Sequence, residues 1–185
     1  MNDRAQDKRV DERTETGIRR AGAFDPRDFR NALGCFATGI TVVTAVAPSG
    51  ELIGITANSF NSVSLDPPLV LFSLHRAAYS LGALTEGGHF AVNVLCEEQR
   101  ELSIRFANAL GDKWTGIEYE LWDDTGAPIL KGCLGSFECR TRALYDGGDH
   151  VIFLAEVLRL RTGKAGRPLL YFRGRYRGLE GSQAD

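Results

Sequence analysis

The chain has 185 residues, 43% of them hydrophobic and 25% charged, with 22 Lys and Arg against 24 Asp and Glu for a formal net charge of −2. One globular domain of this size can bury a core without disulfides. The near-neutral balance offers no polyanion-binding field, so nucleic acid is not expected as a partner. No apolar run reaches the roughly 18 residues of a membrane helix, so no membrane partner is expected either. The first residues are highly charged rather than apolar, so no secretory signal is visible. Cys35, Cys96, Cys133 and Cys139 form no C-x-x-C pair and have no histidine at ligand spacing. No metal site is expected, and a reducing, cytoplasmic setting with free thiols is the simplest reading.

Residues 1–22 alternate charges of both signs with few large apolar side chains, the pattern of a disordered tail. A folded domain is expected over 23–180 and a short tail over 181–185. Asp25 and Pro26 suit a helix N-cap and first helical position. Phe29, Leu33 and Phe36 follow at helical spacing, and Gly34 and Gly39 end the helix before Ile40. The β-branched run ITVVTAV (40–46) reads as a strand. Pro48-Ser49-Gly50 is turn chemistry, and 52–57 returns as the other half of a hairpin. Two further strands, 60–65 and 69–74, are broken by Asp66-Pro67-Pro68. Residues 80–84 suggest a short helix, and HFAVNVL (89–95) another strand.

A helix is expected over 97–110, with Leu102, Phe106 and Leu110 on one face. Residues 111–128 read as a polar connection holding both tryptophans, Trp114 and Trp122. Residues 135–144, 151–160 and 168–176 supply the last strands. Strand runs outnumber helices and neighbours are close in sequence, which predicts a mainly β, mainly antiparallel barrel with peripheral helices.

Several chemistries are absent. There is no G-x-G-x-x-G, no G-x-S-x-G and no H-E-x-x-H. Arg161-Thr162-Gly163-Lys164 resembles the end of a phosphate loop, but Leu158 stands where the first glycine belongs. The three histidines are far apart in sequence and no acid pair stands out, so an enzyme built on this chain would leave the hard chemistry to a cofactor.

One stretch is unusual. GITANSFNSVS (54–64) carries Thr56, Asn58, Ser59, Asn61, Ser62 and Ser64, with no acid and no base, beside an apolar strand. Such groups either bond local backbone in a turn or pair with a ligand rich in neutral donors and acceptors.

Three stretches in order resemble a known family. They are TGITVVT (38–44) with GITANSFNSVSLDPPLVLFSL; FAVNVL (90–95) followed by Gln99, Leu102, Ser103 and Arg105-Phe106-Ala107; and DGGDH (146–150) followed by RPLLYFRG (167–174) and Tyr176. This order is similar to the short-chain flavin reductases of the flavin-reductase-like, FMN-binding split-barrel family. Those are NAD(P)H:flavin oxidoreductase components that supply reduced flavin to two-component monooxygenases. The similarity runs over roughly residues 25–180.

The resemblance implies a six-stranded antiparallel split β-barrel, a homodimer, FMN or FAD as flavin, NADH or NADPH as co-substrate, and an oxygenase partner. It also implies roles. Gly54, Ile55, Thr56, Asn58 and Ser59, with Ser62, would follow the flavin ring and ribityl chain, while Phe60 and Val63 point into the barrel. Ser73, Leu74 and His75 would lead to the phosphate side, where Ser80 offers a hydroxyl and Arg105 a bidentate fork. Phe106 would touch the flavin. His150, its tautomer fixed by Asp149, would be the catalytic residue facing the nicotinamide, with Arg167, Tyr171 and Arg173 around that pocket. A flavin-binding split-barrel carrier or sensor without turnover, or a related oxidase, would share most of these features.

Overall fold

The computed structural model describes residues 21–22, 24–109, 111–123, 125–163 and 165–179. The expected tails over 1–22 (apart from 21–22) and 181–185 lie outside these residues, as do Leu110 and Lys164. In chain order, α1 (Pro26–Leu33) precedes β1 (Thr38–Gly39), β2 (Thr41–Val46), β3 (Leu52–Ala57), β4 (Asn61–Leu65), β5 (Pro68–His75), α2 (Leu81–Gly87) and β6 (His89–Val94). A 3-10 turn at Glu97–Gln99 leads into α3 (Arg100–Ala107). Then come β7 (Tyr119–Leu121), β8 (Pro128–Leu130), β9 (Gly135–Gly147), β10 (His150–Thr162), β11 (Leu170–Phe172) and β12 (Arg175–Arg177).

Seven strands form one antiparallel sheet in the order β3-β2-β6-β9-β10-β5-β4. Its two outermost strands, β3 and β4, are consecutive in the chain and joined by residues 58–60. Laid flat, seven strands would hold their edges roughly 29 Å apart at about 4.8 Å per step. The four steps from Ala57 to Asn61 reach about 14 Å at most. The sheet therefore curls until its edges approach, and among the described residues no ladder joins β3 to β4. This is the expected split barrel. The seventh strand is β4, which hairpins onto β5.

The core follows from this curvature. Val43, Ile53, Phe72, Leu74, Phe90 and Phe153 fill the barrel, with Phe72 stacked on Phe153 at 4.7 Å and edge-on to Phe90 at 5.2 Å. Val42, on the other side of β2, belongs to a second cluster with Ile40, Leu95, Phe106, Leu130 and Leu169. Both faces of β2 are thus covered, which is why its sequence is continuously β-branched instead of alternating.

Several elements differ from the sequence reading. The Asp25 cap forms, accepting at 2.8 Å from the Arg27 and Asp28 amides, but α1 stops at Leu33, so Phe36 lies beyond it. No residue of α1 is buried. The helix over 97–110 divides at Gln99 into a 3-10 turn and α3. The single strand over 168–176 is a hairpin, β11 to β12, turning at Arg173 (φ 49°) and Gly174 (φ 72°). Inside the polar connection, β7 pairs with β8. Val63 does not point into the barrel: it is the extra residue of a bulge between Ser62↔Val70 and Ser64↔Leu69, and it is 48% exposed. A bulge adds one residue and so shifts the alternation of faces. Phe60 does pack against the barrel core, 5.7 Å from Phe137.

Gly54 is where α3 meets the barrel. A Cβ at this position would overlap the ring of Phe106, which is fully buried. Gly54→Ala is expected to destabilise the fold by about 1–3 kcal/mol, the usual cost of overpacking, read as a lower midpoint in denaturant unfolding. An unchanged midpoint would show that Phe106 can move aside.

Candidate active site

The curled sheet leaves a cleft of about 490 Å³ at its split. Its walls are the end of β3 with the following loop (Thr56, Asn58, Ser59), the end of β5 (Ser73, Leu74, His75) and the β9–β10 turn (Gly147, His150). The first half of the polar stretch that stood out in the sequence, 55–59, thus lies at the edge of the sheet and lines this cleft. Two of its hydroxyls also hold the protein together. Ser59 Oγ accepts from the Ser73 amide at 2.9 Å and donates to the Ser73 carbonyl at 3.1 Å, pinning the β3–β4 connection to β5. Thr56 Oγ1 donates to the Ser103 carbonyl at 2.7 Å, tying β3 to α3. A hydroxyl that donates once keeps acceptor capacity, so these roles leave Thr56 able to meet a ligand.

The other wall carries two histidines. His150 pairs in register with His75 across β10 and β5, and their rings meet edge-on with centroids 5.2 Å apart. His150 Nδ1 lies 2.7 Å from Asp149 Oδ1, and this hydrogen bond holds the Asp149 carboxyl below its ordinary value. The Ala77 amide donates to His75 Nδ1 at 3.0 Å. The turn behind them is braced: Arg76 pairs with Asp146 and donates to the Gly148 carbonyl at 2.7 Å. Gly148 sits at φ 75°, a conformation that side chains rarely adopt.

A second cleft of about 450 Å³ adjoins the first, sharing Ile55 and Ala78 with it. Gly54, Ser80, Phe106, Lys113 and Trp114 line it. Lys113 Nζ donates to the Gly54 carbonyl at 3.2 Å and the Phe106 carbonyl at 3.3 Å, and burial lowers its pKa. Asp112 next to it is occupied elsewhere, accepting from the Trp114 and Thr115 amides.

Of the expected site residues, Ile55, Thr56, Asn58, Ser59, Ser73, Leu74, His75 and His150 line the first cleft. Gly54, Ile55, Ser80 and Phe106 line the second. The others are not gathered in either. Ser62 is exposed on β4 at the outer edge. Arg105 Nη1 donates to the Thr115 carbonyl at 2.9 Å. Tyr171 lies in the small β1-β11-β12 sheet, edge-on to Tyr176 at 5.6 Å, Arg173 turns its guanidinium over Phe172, and Arg167 precedes β11. Sequence reasoning missed Lys113, because a lysine in a polar connection reads as solvated. Its position follows from Lys113 and Trp114 lying against Gly54, which no local pattern records.

Neutral polar groups along one cleft and a half-buried amine at the next, beside Glu51 and Asp112, suit a flavin: a flat ring, a hydroxylated chain and an anionic end. The Ser80 hydroxyl, buried without a partner among the described residues, fits such a ligand as well. Comparison with known proteins agrees. Residues 33–180 match the flavin reductase like domain. The chain is 46% identical over 155 residues to the FMN reductase (NADH) SmoA of Agrobacterium fabrum, spanning 84% of this chain and 87% of that protein. It is 40% identical over 173 residues to the flavin-dependent monooxygenase reductase subunit HsaB of Rhodococcus jostii, spanning 92% and 87%. The solved structure of the NADH:FAD oxidoreductase SgcE6 of Streptomyces globisporus matches with a TM-score of 0.80 at 38% identity, over 85% of this chain and 96% of that one. With these likenesses over most of its length, and a split barrel whose clefts suit a flavin, the chain belongs to the flavin reductase-like family.

Proposed function

We propose that the chain is an NAD(P)H:flavin oxidoreductase that passes hydride from a reduced nicotinamide to FMN or FAD and releases reduced flavin to a separate oxygenase. The observation that carries this reading is the juxtaposition of a neutral, hydroxyl-lined cleft with the Asp149–His150 unit, in a chain of this family. Relatives whose names make them reductase subunits of monooxygenases support the oxygenase partner.

Bound flavin supplies the two-electron acceptor. The protein supplies orientation and a partly dry surface, because hydride transfer needs the reacting atoms stacked about 3–3.5 Å apart and no strong acid–base pair. Thr56, Asn58 and Ser59 offer neutral hydrogen bonds, and Ile55, Leu74 and Ile152 offer apolar wall. A neutral His150 whose Nδ1–H donates to Asp149 presents Nε2 as an acceptor. A neutral His75 whose Nδ1 accepts from Ala77 carries its proton on Nε2 as a donor. One acceptor beside one donor suits a carboxamide. Arg167, Tyr171 and Arg173 gain no support from either cleft as nicotinamide contacts.

Two further points belong to this reading. The chain works as a homodimer: Phe29 and Leu33 on α1, with Phe36 just beyond, are 51%, 56% and 74% exposed, an apolar face that a second copy would cover. Sedimentation showing only monomer at micromolar concentration would overturn this. The enzyme is cytoplasmic, in keeping with four free cysteines; recovery from an extracytoplasmic fraction would refute that.

The central test crosses NADH and NADPH with FMN and FAD under anaerobic conditions. At least one pairing is expected to bleach the visible flavin absorbance, and no bleaching with any pairing would sink the reading. His150→Ala should slow flavin reduction roughly tenfold, the scale of one lost hydrogen bond, and Asp149→Asn should slow it less. Neither should change flavin affinity as much, and an equal loss of both would make His150 structural.

A further inference from the structure

The turn that carries the Asp149–His150 unit is built from permissive residues. Gly147 and His150 pair in register, so Gly148 and Asp149 alone make the β9–β10 turn, and Gly148 takes φ 75°. Glycine allows that backbone but does not hold it there. Asp149 is one of the two turn residues, so any rocking of the turn moves its carboxylate against the His150 ring.

One side chain outside the hairpin grips this turn. Arg76 directly follows His75, the residue that pairs with His150. Its amide donates to the Asp149 carbonyl at 2.9 Å, one step beyond the β5–β10 ladder. Its Nε donates to the Gly148 carbonyl at 2.7 Å, and its Nη2 pairs with Asp146 Oδ1. The same Asp146 oxygen accepts from the Gly148 amide at 3.2 Å. The Arg76 hydrogen bond holds the Asp146 carboxyl below its ordinary value. Arg76 thus reaches residues 146, 148 and 149 at once, and it lines neither cleft. Both side chains of the pair are exposed, and an ion pair so open to water adds little to stability. A rigid guanidinium fork with several partners does fix geometry.

We propose that Arg76 is a positioning residue for flavin reduction: it clamps the Gly148–Asp149 turn onto the end of β5 and so fixes the Asp149–His150 unit against the cleft. This rests on the flavin reductase reading above. The glycines let the turn adopt its shape, and Arg76 removes the freedom that they leave. His150 is then presented in one orientation and one tautomer, with Nδ1–H on Asp149 and Nε2 toward the cleft.

The test pairs rates with a readout on flavin-free protein. Arg76→Met is expected to slow anaerobic reduction of bound FMN about fivefold, since a residue acting through His150 cannot cost more than losing His150. FMN affinity, read by quenching of flavin fluorescence, should stay within about twofold, as for sites that share no partner. Arg76→Lys, which keeps the charge but not the fork, should recover part of the rate. In a His150→Ala background Arg76→Met should cost nothing more, because the two residues act as one unit. With histidine labelled in heavy nitrogen, neutral His150 of the flavin-free protein should show its proton on Nδ1, and Arg76→Met should mix the tautomers.

A further full loss of rate in the double variant would overturn the proposal, because Arg76 would then act apart from His150. An unchanged tautomer in Arg76→Met would overturn it by showing that the turn holds itself. A fall in FMN affinity as large as the fall in rate would make Arg76 part of the flavin site and overturn it too. If Arg76→Met does not fold, Asp146→Ala removes the acceptor shared by Arg76 and Gly148, and a wild-type rate and tautomer there are decisive against it. Failure of the reductase reading looks different: no NADH- or NADPH-dependent bleaching with any flavin, whatever the His150 tautomer does.

Discussion

Everything at this site depends on one short connection. Three residues, 58–60, join the two outermost strands of a seven-stranded sheet. They are too few to span a flat sheet of that width, so closing this gap curls the sheet and creates the split. Ser59 then fixes the curl by bonding both backbone groups of Ser73 on β5. The β3 edge borders both clefts, its end the first and its start the second. A sheet edge without a partner strand is ordinarily a liability; here it borders the two clefts.

This resolves the two readings of GITANSFNSVS into one arrangement. The hydroxyls do bond backbone, but the backbone is distant in sequence: Ser73 for Ser59, Ser103 for Thr56. The stretch is therefore structural and available to a ligand at once. On the opposite wall, β9 and β10 are thirteen-residue strands whose pairing runs up to the turn. They carry His150 to the cleft as the first residue of β10, opposite His75. A histidine at the end of a long, well-paired hairpin is held more firmly than one on a free loop.

Much of this was legible in the residues. The β-branched run of β2, the turn at Pro48-Ser49-Gly50, the Asp25 cap and the glycine pair before Asp149 each have a local physical cause, and each appears where the sequence places it. What was misread depended on distant contacts. The short strands β7 and β8 pair with each other, and β8 is also held by Thr44 of β2 and Asn93 of β6, while three residues carry too little pattern to stand out. Val63 alternates correctly as a strand residue until a bulge shifts its face. Arg105 has the right chemistry for an anion, but the path of the 111–118 segment claims it for Thr115 and brings Lys113 inward instead.

The sequence by itself determined the class of the fold, the neutral character of the site and the pairing of Asp149 with His150, because strand propensity, side-chain chemistry and adjacency are local properties. Only the tertiary structure decided which strands form the split, which hydroxyls are spent on backbone, and which cation reaches the cleft. Those outcomes depend on chain closure between residues tens of positions apart, where a shift of one residue or one helical turn exchanges an inward side chain for an outward one.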